Sequence, residues 1–147
     1  MRRATLHPLE HDLQVAVIDW WAWAHKGFGL PEYALFAVPN AGAGAQRGQA
    51  GKMKAEGTRK GIPDLLLPVA KGDFRGLAIE MKSATGSVKP EQREVQDWLL
   101  EQGWRVWVCR SSEQAIGAIS EYLRQPAATA APCALLYPPE RRITSWG

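Results

Sequence analysis

The sequence predicts an α/β fold, with a central mixed β-sheet flanked by helices in the order helix, three strands, helix, strand, helix. Two apolar segments separated by a short turn predict a β-hairpin, and a helical segment then separates this hairpin from a further apolar strand. A strand that follows a helical crossover favours a mixed sheet with helices on both faces. At 147 residues, with 46% hydrophobic and 22% charged residues, the chain is most simply one domain with its own hydrophobic core.

The first half of the chain predicts a helix, a strand and a basic loop. Apolar residues recur at helical spacing from Leu9 to about His25. Residues 33–38, with the sequence YALFAV, form a short apolar and aromatic run that is typical of a strand. Residues 40–61 are rich in glycine, arginine and lysine, and we expect a basic loop there with one helical turn near residues 46–56.

The second half of the chain completes the sheet and adds two helices. The predicted elements are two hairpin strands, a helix and a strand: residues 65–69, 77–82, 90–102 and 104–109. On the helix, Val95, Trp98 and Leu99 lie on one side and are expected to face the core. Ser111 and Gln114 have capping-box spacing and predict the start of a last amphipathic helix.

The seven tryptophans divide into a buried and an exposed group. The apolar faces of the predicted elements accommodate four of them: Trp20, Trp98, Trp104 and Trp107. Trp21 or Trp23 is expected to be exposed, because helical spacing cannot bury three neighbouring positions. An exposed tryptophan is a candidate for a contact between two copies of the chain.

The ends of the chain and its bulk composition indicate a cytoplasmic protein with a C-terminal tail. Residues 1–125 are predicted to form the domain, and residues 126–147, rich in proline and alanine, an extended tail. The N-terminal residues lack the apolar segment of a signal peptide, and no apolar run approaches the roughly 20 residues that a membrane span requires. Cys109 and Cys133 have neither zinc-site nor disulfide-framework spacing. The net charge of +3 gives a mild preference for anionic partners.

Acidic and basic residues stand next to the predicted hairpin strands. Along residues 77–82, the alternation of a strand places Glu80 and Lys82 on one face and the apolar residues on the other. Asp64 begins the partner strand, so its carboxylate can come close to Glu80. Two neighbouring carboxylates repel each other unless a cation lies between them, and hard oxygen ligands suit Mg²⁺ or Mn²⁺. A divalent ion beside a lysine is suited to hydrolysis of an anionic phosphodiester. Taken alone, however, Glu80 and Lys82 better fit a surface ion pair, and Asp64 the end of a loop.

Several further motifs occur in a fixed order around this acidic pair. They are Glu10-His-Asp-Leu-Gln14, Val38-Pro-Asn40, Gly61-Ile-Pro-Asp64, Glu80-Met-Lys82, Gly86-Ser-Val-Lys-Pro-Glu-Gln92 and Gly103-Trp-Arg-Val-Trp-Val-Cys109. Together they resemble the VRR-NUC family of the PD-(D/E)xK nuclease superfamily. The resemblance covers about residues 9–124, and it implies a restriction-endonuclease-like fold.

The resemblance also implies a metal-dependent deoxyribonuclease and assigns roles to the acidic pair. Asp64 and Glu80 would be the principal ligands of Mg²⁺, for which Mn²⁺ would substitute, and the backbone carbonyl of Met81 would be a further ligand. Lys82 would be the catalytic lysine. No small-molecule cofactor is expected.

Two more residues, one on the first helix and one on the helix at residues 90–102, belong to the implied site. Glu10 would complete the metal site from the first helix, with Asp12 as its competitor. Glu10 and Gln14 lie on one face at i and i+4, which favours Glu10. Gln92 matches a glutamine that lines the active site in this family.

The size of the chain resembles that of stand-alone, phage-type members of the family. Such members dimerise and cut branched DNA, so the resemblance implies a homodimer that resolves four-way junctions in a bacterial cytoplasm, with a phage or prophage origin. The alternatives are a repair or restriction nuclease that cuts flaps, ends or duplex, and a non-catalytic DNA-binding module of the same fold. The expected DNA contacts are Asn40, Arg47, Lys52, Lys54, Arg59, Lys60 and Lys89. The alternative is that the basic loop is only a flexible connector and that Asn40 is a turn residue.

Overall fold

Four strands form the central sheet of the structure, a computed structural model that describes residues 9–39 and 48–128. The strands are β1 (Phe36–Ala37), β2 (Leu65–Leu67), β3 (Leu77–Met81) and β4 (Arg105–Cys109), and they lie in this order across the sheet. β2 pairs antiparallel with both β1 and β3, whereas β3 and β4 are parallel. The predicted mixed sheet and hairpin are therefore confirmed.

The described residues contain four α-helices. They are α1 (Glu10–Ala24), α2 (Gln49–Ala55), α3 (Pro90–Glu101) and α4 (Ser112–Leu123). Of these, α1, α3 and α4 pack against the sheet. α4 begins where predicted, because the side chain of Ser111 accepts a hydrogen bond from the Gln114 N–H at 3.1 Å. α3 has Pro90 in its first turn, and the Gln92 side chain accepts from the Lys89 N–H at 3.0 Å.

The main hydrophobic core lies between one face of the sheet and helices α1 and α4. Leu77, Ile79 and Met81 project from β3 toward this core and are buried, as strand alternation predicts. Leu13 and Val17 of α1 and Ile119 of α4 are among the residues that pack against them. Both faces of β3 are buried, which makes it the most rigidly enclosed strand of the sheet.

The opposite face of the sheet carries Glu80 and is only partly covered by α3. Leu99 of α3 is buried there, but Leu66 of β2 is half-exposed and Phe36 of β1 is exposed. This face therefore combines a buried charged region with an open apolar one.

One tryptophan prediction, the burial of Trp98, is wrong. Trp21 is the buried tryptophan of α1, at 1% exposure, whereas Trp20 is only half-buried; the indole N–H of Trp21 donates to the Glu32 carbonyl at 2.6 Å. Trp98 is 57% exposed instead of facing the core, because α3 buries Gln96 and Leu99. Trp23 is 68% exposed, as one of the two predicted alternatives.

The predicted tail begins against the hairpin turn. The Gly72 N–H donates to the Pro126 carbonyl at 2.8 Å, and Lys71 forms a β-bridge with Ala127. The remainder of the predicted tail, residues 129–147, lies outside the described residues. None of the described helices has the length and apolar character that crossing a membrane requires.

Candidate active site

The register of the hairpin places Asp64 beside Glu80. Leu65 of β2 pairs with Ile79 of β3, so Asp64 immediately precedes the paired strand at the end where Glu80 lies. The Met81 N–H donates to Oδ2 of Asp64 at 2.8 Å, and the Val38 N–H donates to the Asp64 carbonyl at 3.0 Å. Backbone groups of two neighbouring strands therefore hold Asp64 in place.

The segment before Asp64 is fixed by a close backbone contact with α3. Gly61 has φ of 83°, a conformation that costs other residues about 1–2 kcal/mol. A Cβ added to Gly61 would lie only 2.8 Å from the backbone carbonyl carbon of Glu91. Pro63 is buried. Glycine is therefore required where the chain passes the first turn of α3 on its way to Asp64.

Glu80 and Lys82 form a buried ion pair on β3 and its extension. The two side chains are 1% and 5% exposed, and Nζ of Lys82 lies 2.9 Å from Oε1 of Glu80. The side-chain amide of Gln92 donates to the same Oε1 at 2.5 Å. Oε2 of Glu80 is buried and accepts no hydrogen bond from residues 9–39 and 48–128. A buried carboxylate oxygen of this kind is costly unless a ligand satisfies it.

The surroundings of Glu80 raise the pKa of its carboxyl group from 4.5 to about 7. Burial is the largest cause, because it removes water from the charged form. The negative charges of Asp64 and Glu10 act in the same direction, and Lys82 opposes them through its hydrogen bond and its positive charge. The site thus gathers more negative charge than one lysine compensates.

Glu10 reaches this cluster from the N-terminus of α1. Its Oε1 accepts a hydrogen bond from the Ser83 N–H at 3.2 Å, and its Oε2 lies 4.0 Å from Nζ of Lys82. Asp12 points elsewhere, because its carboxylate accepts from the Leu9 N–H at the start of α1 at 3.3 Å. The structure therefore brings Glu10, and not Asp12, to the acidic cluster.

The donors of this cluster suit a divalent cation. Asp64, Glu80 and Glu10 offer hard carboxylate oxygens, and Oε2 of Glu80 is the buried oxygen that lacks a partner among the described residues. Within residues 9–39 and 48–128, no three carboxylate, histidine or cysteine side chains already enclose one point as metal ligands would. The ammonium group of Lys82 instead lies against two of the carboxylates.

The predicted DNA contacts that the structure describes lie on α2, in the segment before Asp64 and just before α3. Lys52 and Lys54 are exposed on α2, where Lys52 pairs with Glu56 at 3.8 Å. Arg59 and Lys60 line a groove between the segment before Asp64 and α3. Lys89 is exposed before α3, and Asn40 and Arg47 lie outside the described residues.

Sequence reasoning missed one residue next to the cluster. Arg110 directly follows β4, and its Nη1 donates to the carbonyls of Ser83 at 2.8 Å and Gly86 at 2.6 Å. A lone arginine after a strand is not a recognisable motif. Its proximity to residues 83–86 follows from the parallel pairing of β3 and β4, which the crossover helix could have suggested.

Comparisons with known proteins agree with this geometry. The VRR-NUC domain family matches residues 10–113. A solved structure described as a VRR_NUC domain protein is similar to the chain with a TM-score of 0.69 and 26% sequence identity, over 83% of this chain and 93% of the other. No curated protein sequence matches the chain. The matched range includes all the residues of the acidic cluster.

Proposed function

The chain belongs to the VRR-NUC family, and from that premise we propose that it is a Mg²⁺-dependent endonuclease that hydrolyses phosphodiester bonds of DNA. The family match gives a nuclease-type, DNA-processing fold. The observation that carries the finer proposal is the buried Glu80, whose Oε2 lacks a hydrogen-bond partner among the described residues while its Oε1 is held by Lys82 and Gln92. A metal ligand needs one oxygen free and the side chain held still.

Asp64, Glu80 and Glu10, with the backbone carbonyl of Met81, would hold the cation. A bound divalent ion would supply charge neutralisation and a more acidic water at the phosphate. The Met81 N–H fixes the orientation of the Asp64 carboxylate by donating to its Oδ2. In-line attack of water on the phosphorus would leave a 5′-phosphate and a 3′-hydroxyl.

Lys82 and Gln92 have separate tasks in this proposal. The ammonium group of Lys82 stabilises negative charge on the phosphoryl oxygens as it develops, and low exposure strengthens that interaction. Gln92 fixes the orientation of Glu80 through the bond to Oε1. Its own carbonyl oxygen is held by the Lys89 N–H, so the amide can donate toward Glu80 only in this orientation.

We further propose that the substrate is branched DNA, such as a four-way junction, and that two copies of the chain act together. A junction with two-fold symmetry requires two active sites. An enzyme of this kind would act on phage or prophage DNA in the cytoplasm of a bacterial host.

A groove beside α3 supports the homodimer. It has a volume of about 900 Å³, and its apolar lining consists of Ile62, Leu66, Val95, Trp98 and Leu99. Trp98 is 57% exposed within it. Large aromatic side chains at the centre of an apolar surface are typical anchors of protein interfaces.

The charges around this groove favour a second copy over DNA. One wall, on α3, carries the acidic residues Glu91, Glu94, Asp97 and Glu101, and the other carries Arg59 and Lys60. The acidic wall would repel a phosphate backbone. A two-fold axis would set the acidic wall of one copy against the basic wall of the other, as a self-complementary interface requires.

A cleavage assay tests the nuclease. Purified protein is incubated with a four-way junction, a flap and linear duplex, with Mg²⁺ or with chelator. We expect Mg²⁺-dependent cutting of the junction, a loss of at least about 100-fold in Asp64→Asn and Glu80→Gln, and full activity in the control Asp73→Asn, which changes an exposed residue of the distant hairpin turn. If Asp64→Asn and Glu80→Gln cut the junction as fast as the parent and Asp73→Asn do, the acidic cluster is not the active site. Preferred cutting of flaps or duplex would favour the repair or restriction alternative, and binding without cutting the DNA-binding module.

Sedimentation analysis tests the dimer separately. We expect the parent to be a dimer, Trp98→Ala a monomer, and the exposed control Trp23→Ala a dimer. Glu94→Lys should weaken the dimer, and the added change Arg59→Glu should restore it. A monomeric parent would refute the dimer and leave the nuclease proposal intact, and dissociation by Trp23→Ala alone would move the interface to α1.

A further inference from the structure

We propose that Arg110, together with the turn of residues 83–86, forms a binding position for a DNA phosphate adjacent to the one that is cut. This inference rests on the proposed nuclease function. It assigns the ligand a chemical class, a phosphodiester of the substrate backbone, and a place beside the acidic cluster.

The pairing of β3 and β4 brings Arg110 to the site. Met81 pairs with Cys109 in the parallel ladder, and the Lys82 N–H donates to the Cys109 carbonyl at 2.9 Å. Arg110 directly follows Cys109, the last residue of β4, so it leaves the sheet beside Lys82 and Ser83. The position of Arg110 is therefore set by the pairing of β4 with β3, the strand that carries Glu80.

The side chain and the backbone of Arg110 are both held by hydrogen bonds. Its Nη1 donates to the carbonyls of Ser83 and Gly86, and the Arg110 backbone N–H donates to Oε1 of Gln114 at 2.7 Å. Both side-chain bonds use a single nitrogen, and a guanidinium group has further N–H donors in a fixed plane. Arg110 is nevertheless exposed, so those donors can meet a ligand from solvent.

The turn that Arg110 holds also contacts Glu10. The Ser83 N–H donates to Oε1 of Glu10, and a Cβ added to Gly86 would lie 2.9 Å from the same oxygen. One short turn thus joins the carboxylate of Glu10 to the cation of Arg110. A phosphate on the guanidinium group would lie at the edge of the acidic cluster.

The positive charge of Arg110 offsets the negative charge of the acidic cluster for an approaching DNA backbone. Glu10, Asp64 and Glu80 place negative charge where a polyanion must approach, and Lys82 is already engaged with two of these carboxylates. Arg110 supplies a positive charge on the outer side of the cluster. Planar, bidentate binding of phosphate is the arrangement for which arginine is best suited.

Salt-dependent binding tests the proposal. Binding of junction DNA is measured in chelator as a function of salt for the parent, Arg110→Gln, Arg110→Lys and the control Arg124→Gln, which removes an exposed arginine after α4. Loss of one phosphate contact should reduce the slope of log K against log salt by about 0.9 in Arg110→Gln, and by much less in Arg110→Lys. Arg124→Gln should match the parent. Equal slopes for the parent and Arg110→Gln would overturn the proposal.

A neutral phosphate locates the contact. Methylphosphonates are placed one at a time at the phosphates that flank the cut. We expect one position that weakens binding by the parent about tenfold and leaves binding by Arg110→Gln unchanged. If Arg110→Gln does not fold, Arg110→Lys should show a smaller loss than the parent at that position; no position-specific difference between parent and variant would contradict the phosphate contact.

These outcomes separate the two proposals. A parent that never cuts DNA but shows the Arg110 slope change would refute the nuclease, and Arg110 would then contact a phosphate in a DNA-binding protein and not beside a cleavage site. A parent that cuts with Mg²⁺ while its Arg110→Gln slope is unchanged would refute only the phosphate position. If Arg110 served only to hold the turn, both of its variants would lose turnover equally without any change in slope.

Discussion

The raised pKa of Glu80 makes the stability of the metal-free protein depend on pH. The carboxyl group binds its proton more tightly in the folded chain, with a pKa of about 7, than at its ordinary value of 4.5. Between these pH values the folded state therefore holds more protons than the unfolded state, and stability falls as pH rises. The contribution is fully present below pH 4.5 and lost above pH 7.

The magnitude follows from the size of the shift. A change from 4.5 to about 7 is 2.5 pH units, and about 1.4 kcal/mol per unit gives an upper value of about 3.5 kcal/mol. The variant Glu80→Gln lacks the titrating group. The difference in unfolding free energy between parent and variant should therefore change by about 2–3 kcal/mol across this range, while titration of groups distant from Glu80 cancels.

Urea unfolding in the presence of chelator, at intervals from pH 4 to pH 8, measures this difference. A difference curve that stays flat within about 0.5 kcal/mol would refute the reasoning that burial and neighbouring carboxylates destabilise ionised Glu80. Mg²⁺ supplies a second check at pH 8. At about tenfold above its Kd it should stabilise the parent by about 1.4 kcal/mol and Glu80→Gln much less, whereas equal stabilisation of both would place the ion elsewhere.

Three further predictions concern the scaffold. Gly61→Ala should lower the free energy of unfolding in urea by about 3 kcal/mol or more, because its Cβ meets the Glu91 backbone. The control Gly57→Ala, with φ of 99° and open space around it, should lower it by about 1–2 kcal/mol. Equal losses in the two variants would exclude the contact with Glu91. Ser111→Ala should cost about 1 kcal/mol in the same assay through loss of the cap of α4, and no loss would deny its role. Burial raises the pKa of Cys109 to about 11, so in a Cys133→Ser background iodoacetamide at pH 8 should label it about 100-fold more slowly in the folded protein than in urea, and similar rates would contradict its burial.

The sequence was sufficient to predict the neighbourhood of Asp64 and Glu80. An antiparallel hairpin with a short turn has few registers that keep its apolar residues on one face, so the positions just outside it are also determined. The structure adds that the Asp64 carboxylate is bonded to the Met81 N–H. That bond depends on backbone geometry at the strand end, which alternation alone does not specify.

The rotation of α3 could not be predicted from its apolar residues. Helical spacing favoured burial of Trp98, but Gln92 must face Glu80, and the same rotation buries Gln96. Trp98 then lies beside the apolar groove. A polar contact to the site thus overrides the hydrophobic pattern, and the exposed tryptophan is its consequence.

The identity of the buried tryptophan on α1 depended on a distant partner. The Trp21 indole N–H reaches the carbonyl of Glu32, which lies in a short 3₁₀ helix after α1. Periodicity within a helix carries no information on such a bond. Arg110 was missed for a similar reason, because its partners Ser83 and Gly86 are close only after the sheet has formed.

The contact between Glu10 and Ser83 joins residues that are 73 positions apart. During translation, the carboxylate of Glu10 is therefore made long before the turn that receives it. Arg110, which fixes that turn, is synthesised later still and is itself anchored by Gln114. A chain that ended between Ser83 and Arg110 would contain Glu10, Asp64 and Glu80 but would lack β4 and the arginine that holds the turn against Glu10.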